Sequence, residues 1–152
     1  MSNTFGFEEF IKKIQETHKR VVDVIDETLL ESATECVGEI QSRTGVKTGN
    51  LRRSATSGEI KVTGSKHSIK VGYDTDRAPY AGAYENGHKQ TPGRYVPAIG
   101  KKLKKSYVPG KHVVRDSLIL VRYGMDEKLK TKLRNIRSVS YTHLTLPTIY
   151  PV

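Results

Sequence analysis

Tryptophan is absent from this 152-residue chain and cysteine occurs once. A lone thiol excludes an internal disulfide framework, and Cys36, at a helical position among Ala33, Val37 and Ile40, reads as a small buried hydrophobe. No run of 18 apolar residues exists, which argues against a membrane-spanning helix. The first apolar stretch, from Phe5 to Ile14, is broken by Glu8, Glu9, Lys12 and Lys13, so it does not read as a signal peptide, and a soluble protein made inside the cell is expected. Gly-Lys-Ser/Thr is missing, so the glycines around Thr44 to Gly49 look only superficially like a phosphate loop, and nucleotide hydrolysis is rejected. The histidines at 18, 67, 88, 112 and 143 lie in different expected elements without a short ligand pair, which leaves no expected metal site.

The last 15 residues, 138–152, carry no Asp, Glu, Lys or Arg in a chain that is 28% charged. This segment reads as a non-native or disordered tail, like translated adapter sequence replacing the natural C-terminus. The alternative is a short terminal strand or partner-binding tail. The remaining residues, 1–137, are expected to form one domain. Hydrophobic content of 36% is lean for a self-sufficient globule. It fits a partly disordered chain or, as we prefer, a subunit that completes its core against neighbours.

Charge is plentiful but uneven. Residues 1–46 hold 5 basic and 9 acidic side chains, whereas residues 47–137 hold 21 basic and 7 acidic, within a net charge of +10. Acidic and basic parts can attract one another between adjacent subunits, and a basic face can also meet nucleic-acid phosphate.

Apolar residues at Phe7, Phe10, Ile11, Ile14, Val21, Ile25, Leu29, Ala33, Cys36, Val37 and Ile40 follow three-and-four spacing and predict a long amphipathic helix to about Arg43. Thr4 is a candidate cap, His18 marks a candidate break, and Thr44-Gly45 supplies the stop. A continuous helix from Phe7 would be about 55 Å long, more than a domain of this size can cover. Thr48 is a candidate cap for a short turn of helix in which Leu51 points inward and the arginines outward. Two strands are expected over 55–63 and 66–73, turning at Gly64-Ser65, with Ile60, Val62, Ile69, Val71 and Tyr73 at alternate positions. Pro79 suits the first position of a short helix carrying Tyr80, Ala83 and Tyr84 and stopping at Asn86-Gly87. Residues 88–111 hold three prolines and read as a long loop or extended hairpin, and Val113 to Ile136 as a second helix with a candidate break at Gly124. The fold class is therefore α+β.

Acid–base chemistry would need converging carboxylates or a Ser, His and Asp set. Asp74 and Asp76 read as turn residues, and Asp116 sits at a helix end. Glu85 on the Tyr-rich helix is either an ordinary exposed carboxylate or the partner of a guanidinium from Arg52 or Arg53. An enzyme would need a cleft where Glu85, His88 and a third polar group meet, and no spacing requires one. Arg94, Lys101, Lys102, Lys104, Lys105 and Lys111, interleaved with Tyr95, Leu103 and Tyr107, form the densest positive segment. It reads as a DNA-facing or neighbour-gripping loop, or as a solvated basic loop.

Two short segments carry a resemblance. Thr48, Gly49, Leu51, Arg52 and Ser54, followed after a strand pair by Tyr80, Ala81, Tyr84, Glu85 and Gly87, resemble the pattern of the gene-product-ten-like neck or tail-completion family of tailed bacteriophages. The similarity covers roughly residues 10 to 125 and departs from the family at Lys111-His112-Val113, where an aromatic residue is common. It implies a structural subunit that assembles into a ring between head connector and tail tube, without catalytic residues, cofactor or small-molecule substrate. The implied partners are further copies of the chain and other neck and tail proteins, and the basic loop could also make sequence-indifferent contact with packaged DNA. The implied location is the virion, after assembly in the host cytoplasm. The reading from another class is a small basic nucleic-acid-binding module, favoured by the charge.

Overall fold

Proline is absent before Pro79, and helix α1 (Ser2–Arg43) runs unbroken through His18. The computed structural model describes residues 2–145, with side chains over 6–136. Thr4, the expected cap, already lies inside α1, and its side chain and the end of the tail, from residue 146, lie outside what is described. On α1, Thr28, Ser32, Cys36 and Ile40 are buried at four-residue spacing, so one stripe faces inward. Thr28 satisfies its buried hydroxyl by donating to the Val24 carbonyl at 2.7 Å.

After α1 come α2 (Asn50–Arg53), β1 (Ala55–Ser57), β2 (Lys61–Thr63), β3 (Lys66–Ser68) and β4 (Val71–Tyr73). Then follow α3 (Ala81–Asn86), β5 (Gly87–Lys89), β6 (Tyr95–Val96), β7 (Lys101–Lys102), β8 (Tyr107–Pro109) and α4 (Val113–Thr145). The order is α+β with small antiparallel ladders, as the periodicities indicate. Helix α4 continues past Gly124 without a break and extends into the segment that reads as a tail.

The two expected strands are instead four short ones, and the reason is a slip of register. β1 pairs with β4 through Ala55↔Tyr73, and β2 with β3 through Lys61↔Ser68. Three residues, 58–60, separate β1 from β2, but only two, 69–70, separate β3 from β4. That extra residue is a bulge, which shifts alternation from one ladder to the next. Val62, at one of the alternate positions of the expected strand, is exposed. The Gly64-Ser65 turn stands, with Gly64 at φ 61°.

Where length suggests one domain, the chain divides into two compact units. One comprises Met1–Ser32, Glu59–Ile69 and Arg122–Val152, and the other Ala33–Gly58 and Lys70–Val121. In the first, His67 Nδ1 on β3 lies 2.6 Å from Asp26 Oδ1 on α1, and Lys132 Nζ lies 3.0 Å from Glu31 and 3.6 Å from Glu27. The second holds two small apolar clusters. Cys36, Ile40, Ala55, Val113 and Val121 form one, and Leu51, Ala78 and Ala81 the other, with Tyr73 and Tyr84 packed against both. Most of these side chains are small, in keeping with the lean composition.

Candidate functional site

The two motif segments meet in the second unit and hold helix ends. Gly49, at φ 77°, turns the chain into α2, a backbone conformation that a side chain would strain. Thr48 stands one residue too early to cap α2 and accepts only the Asn50 N–H, at 3.4 Å. Leu51 is buried against Ala78 and Ala81, as expected. Ser54 is buried as well, donating its hydroxyl to the Leu51 carbonyl at 2.6 Å, while its own carbonyl accepts the Asp74 N–H at 2.7 Å. The motif serine therefore ties α2 to the end of β4.

Arg52 departs from the outward orientation expected of it. Its Nη2 donates to the Thr44 carbonyl at 3.1 Å, just beyond the last residue of α1, while Arg53 is exposed. A cation at a helix C-terminus satisfies orphan carbonyls and complements the helix dipole. Tyr73 and Tyr84 complete that end. The Thr44 hydroxyl donates to the Ile40 carbonyl, so the Tyr73 hydroxyl, 2.7 Å away, donates to Thr44. Tyr84 Oη accepts the Gly45 N–H at 3.1 Å. The two rings pack edge to face with centroids 6.3 Å apart. Burial pushes the Tyr73 phenol up from its ordinary value, against the opposing effect of its bond with Thr44. Burial likewise pushes the Cys36 thiol up, helped by Glu35 and Glu39, which disfavours the reactive thiolate.

Glu85 follows neither of its two readings, being half-buried and bound to backbone amides rather than exposed or paired with a guanidinium. Its Oε2 accepts the Val114 N–H and its Oε1 the Arg115 N–H, both at 3.0 Å, so the carboxylate caps α4 from another helix. His112 occupies the position where a capping side chain normally sits, and its backbone is left-handed at φ 51°. The carboxylate also places negative charge at the positive end of α4. An open cleft beside Glu85, with Ala81, Gly82, Val114 and Leu118 in its walls, is largely apolar. His88 lies in β5, opposite Val108. Of the other motif residues, Ala81 is buried and Tyr80 exposed.

Gly87 opens a hairpin arm. A Cβ there would lie 2.6 Å from the Val108 carbonyl oxygen, and one on Gly110 would meet the Glu85 carbonyl, so two glycines allow the strands to converge at the root. Lys111 N–H donates to the Tyr84 carbonyl at 2.8 Å and His112 N–H to the Glu85 carbonyl at 3.1 Å. The segment from 88 to 111 is thus the extended hairpin of the two expected alternatives. β5 pairs with β8 and β6 with β7, and bonds from Gln90 to Ser106 and between Gly93, Arg94 and Leu103 join the ladders. Arg94, Lys101, Lys102, Lys104 and Lys105 are gathered along this arm and exposed, with Lys111 at its base. Thr44, Gly110 and His112 belong to the same construction. By sequence pattern they are only a stop, a loop glycine and a departure from the family motif.

The motif residues therefore define a structural class, an α+β scaffold in which they hold helix ends together. A family model described as "Bacteriophage HK97-gp10, putative tail-component" matches residues 8–87. The chain belongs to this family, and is accordingly a bacteriophage tail-component protein, a constituent of the virion that meets other tail proteins. No curated protein and no solved structure matches it. No helix among the described residues is long and apolar enough to cross a membrane.

Proposed function

We propose that this tail component is a neck or tail-completion subunit, joining head to tail as one member of a homo-oligomeric ring, with a structural rather than enzymatic role. The supporting observation is an uncovered stripe on α1. Phe7, Phe10, Ile11 and Ile14 stand at helical spacing on one face and are 62%, 59%, 38% and 52% exposed. A contiguous apolar patch of this kind marks an interaction surface. A second exposed set, Leu118, Ile119, Leu120 and Tyr123, lies on α4. Two different apolar surfaces on one chain suit a heterologous contact, which closes into a ring when the rotation between neighbours allows.

The family supplies the tail, and the stripe supplies a reason to assemble. Light scattering on the purified chain, over a range of concentration and salt, tests the ring. Discrete oligomers that persist in high salt are expected of an apolar contact. A monomer at every concentration, which also fails to join purified tails or heads, would remove the ring and the joining role together.

A further inference from the structure

The hairpin arm holds charge that nothing within the chain balances. From Gly87 to Lys111 the sequence contains seven Lys or Arg residues and no Asp or Glu. Among the described residues, none of those seven cations has an ion-pair partner. Placing so many like charges on one hairpin is self-repulsive, and such a surface gains by meeting a polyanion. The arm is also ordered for presentation, being laddered twice and fixed at its root by Gly87 and Gly110. Its cross-strand partners set cations beside aromatics, Lys89 opposite Tyr107 and Tyr95 opposite Lys102.

A second copy of the chain is a poor source of the missing anions. Asp26 is engaged by His67, Glu27 and Glu31 by Lys132, Glu39 by Arg43 and Glu85 by the amides of α4, while Glu8, Glu9, Glu16 and Asp23 on α1 are interspersed with Lys12, Lys13, Lys19 and Arg20. A nucleic-acid duplex instead offers a continuous run of phosphates.

We propose that the Gly87–Lys111 arm binds the phosphate backbone of double-stranded DNA without sequence preference. The choice of DNA rests on the proposed neck or tail-completion role, since a subunit joining head to tail stands where the genome would pass. Contacts made by lysine to phosphate follow the backbone, release counterions and are indifferent to base identity, which suits a duplex that slides.

The test is binding of the full chain to a mixed-sequence DNA duplex, measured by fluorescence anisotropy across a salt series. A variant carrying Lys101→Gln, Lys102→Gln, Lys104→Gln and Lys105→Gln is compared with one carrying Lys12→Gln, Lys13→Gln, Lys19→Gln and Arg20→Gln on α1. Circular dichroism checks that each variant is folded. The slope of log affinity against log salt should fall by about 0.9 for each phosphate no longer neutralised, up to about 3.6 for the arm variant, and stay near the parent value for the α1 variant. Two duplexes of unrelated sequence should bind alike. Absence of binding at low salt, or equal weakening in the two variants, would overturn the proposal. So would an arm variant that no longer self-associates yet keeps its DNA affinity. Duplex binding through the arm by a strict monomer would uphold the arm and remove the ring, so the two readings fail separately.

Discussion

Glu85 Oε2 accepts the Val114 N–H at 3.0 Å, and through its other oxygen Glu85 takes the next amide of α4 as well. The start of one helix is thereby held by a residue 29 positions earlier, on a different helix. Glu85→Ala should strand two amides and remove a charge from the helix terminus, costing about 1–2 kcal/mol. In a chain of this length that lowers the melting temperature by roughly 2–4 °C per kcal/mol. Glu85→Gln keeps an accepting oxygen and should recover part of the stability. Equal stability of all three proteins in urea would show that the capping bonds contribute nothing.

Gly87 is held at φ 84° and ψ 169°, a region that only glycine occupies comfortably. Gly87→Ala adds backbone strain of about 1–3 kcal/mol and drives a methyl against the Val108 carbonyl oxygen. The expected result is opening of the arm's root ahead of the rest of the fold. Hydrogen exchange at the Lys111 and His112 amides, which bond to Tyr84 and Glu85, should accelerate while exchange within α1 is unchanged. Unaltered protection at both amides would contradict the role given to this glycine.

Tyr73 connects pH to the end of α1. Its phenol is raised above the ordinary 10.0, chiefly by burial, so the folded chain holds this proton more tightly than the unfolded chain does. The stability it contributes is complete below about pH 10 and is lost as pH rises through the folded value. Tyr73→Phe should cost about 1 kcal/mol at neutral pH by removing the bond to Thr44, and should then fall less steeply than the parent in alkaline solution. Urea titrations of both proteins from neutral to alkaline pH give the two slopes. Parallel curves would mean that the hydroxyl titrates alike in both states.

Helices and the α+β class were legible because helical periodicity is written locally, residue by residue. The two motif segments were legible too, through Leu51 and the Tyr80–Gly87 pattern. What escaped was whatever depended on main-chain partners. No side chain announces that Glu85 will cap amides at Val114 and Arg115, and a guanidinium is the natural partner to expect for a carboxylate in a chain with Arg52 and Arg53 side by side in a nearby segment. The bulge between the ladders hangs on a single extra residue, invisible in a pattern of isoleucines and valines. The hairpin of residues 88–111 was ambiguous because β6 and β7 are two residues each, too short for alternation to register.

Phe10 and Ile14 separate a core from an association surface. Were they packed inside the monomer, cutting each down to serine would cost a few kcal/mol of unfolding free energy. Both are more than half exposed, so the double variant Phe10→Ser and Ile14→Ser should unfold within about 0.5 kcal/mol of the parent when both are diluted to monomers. At higher concentration, where burial between neighbours adds its free energy, the parent should gain stability and mass while the variant does not. Light scattering and urea denaturation on the same dilution series measure both quantities. A large destabilisation at dilution would place the stripe in the monomer's own core. Matched association would instead leave the interface to Leu118, Ile119, Leu120 and Tyr123 of α4.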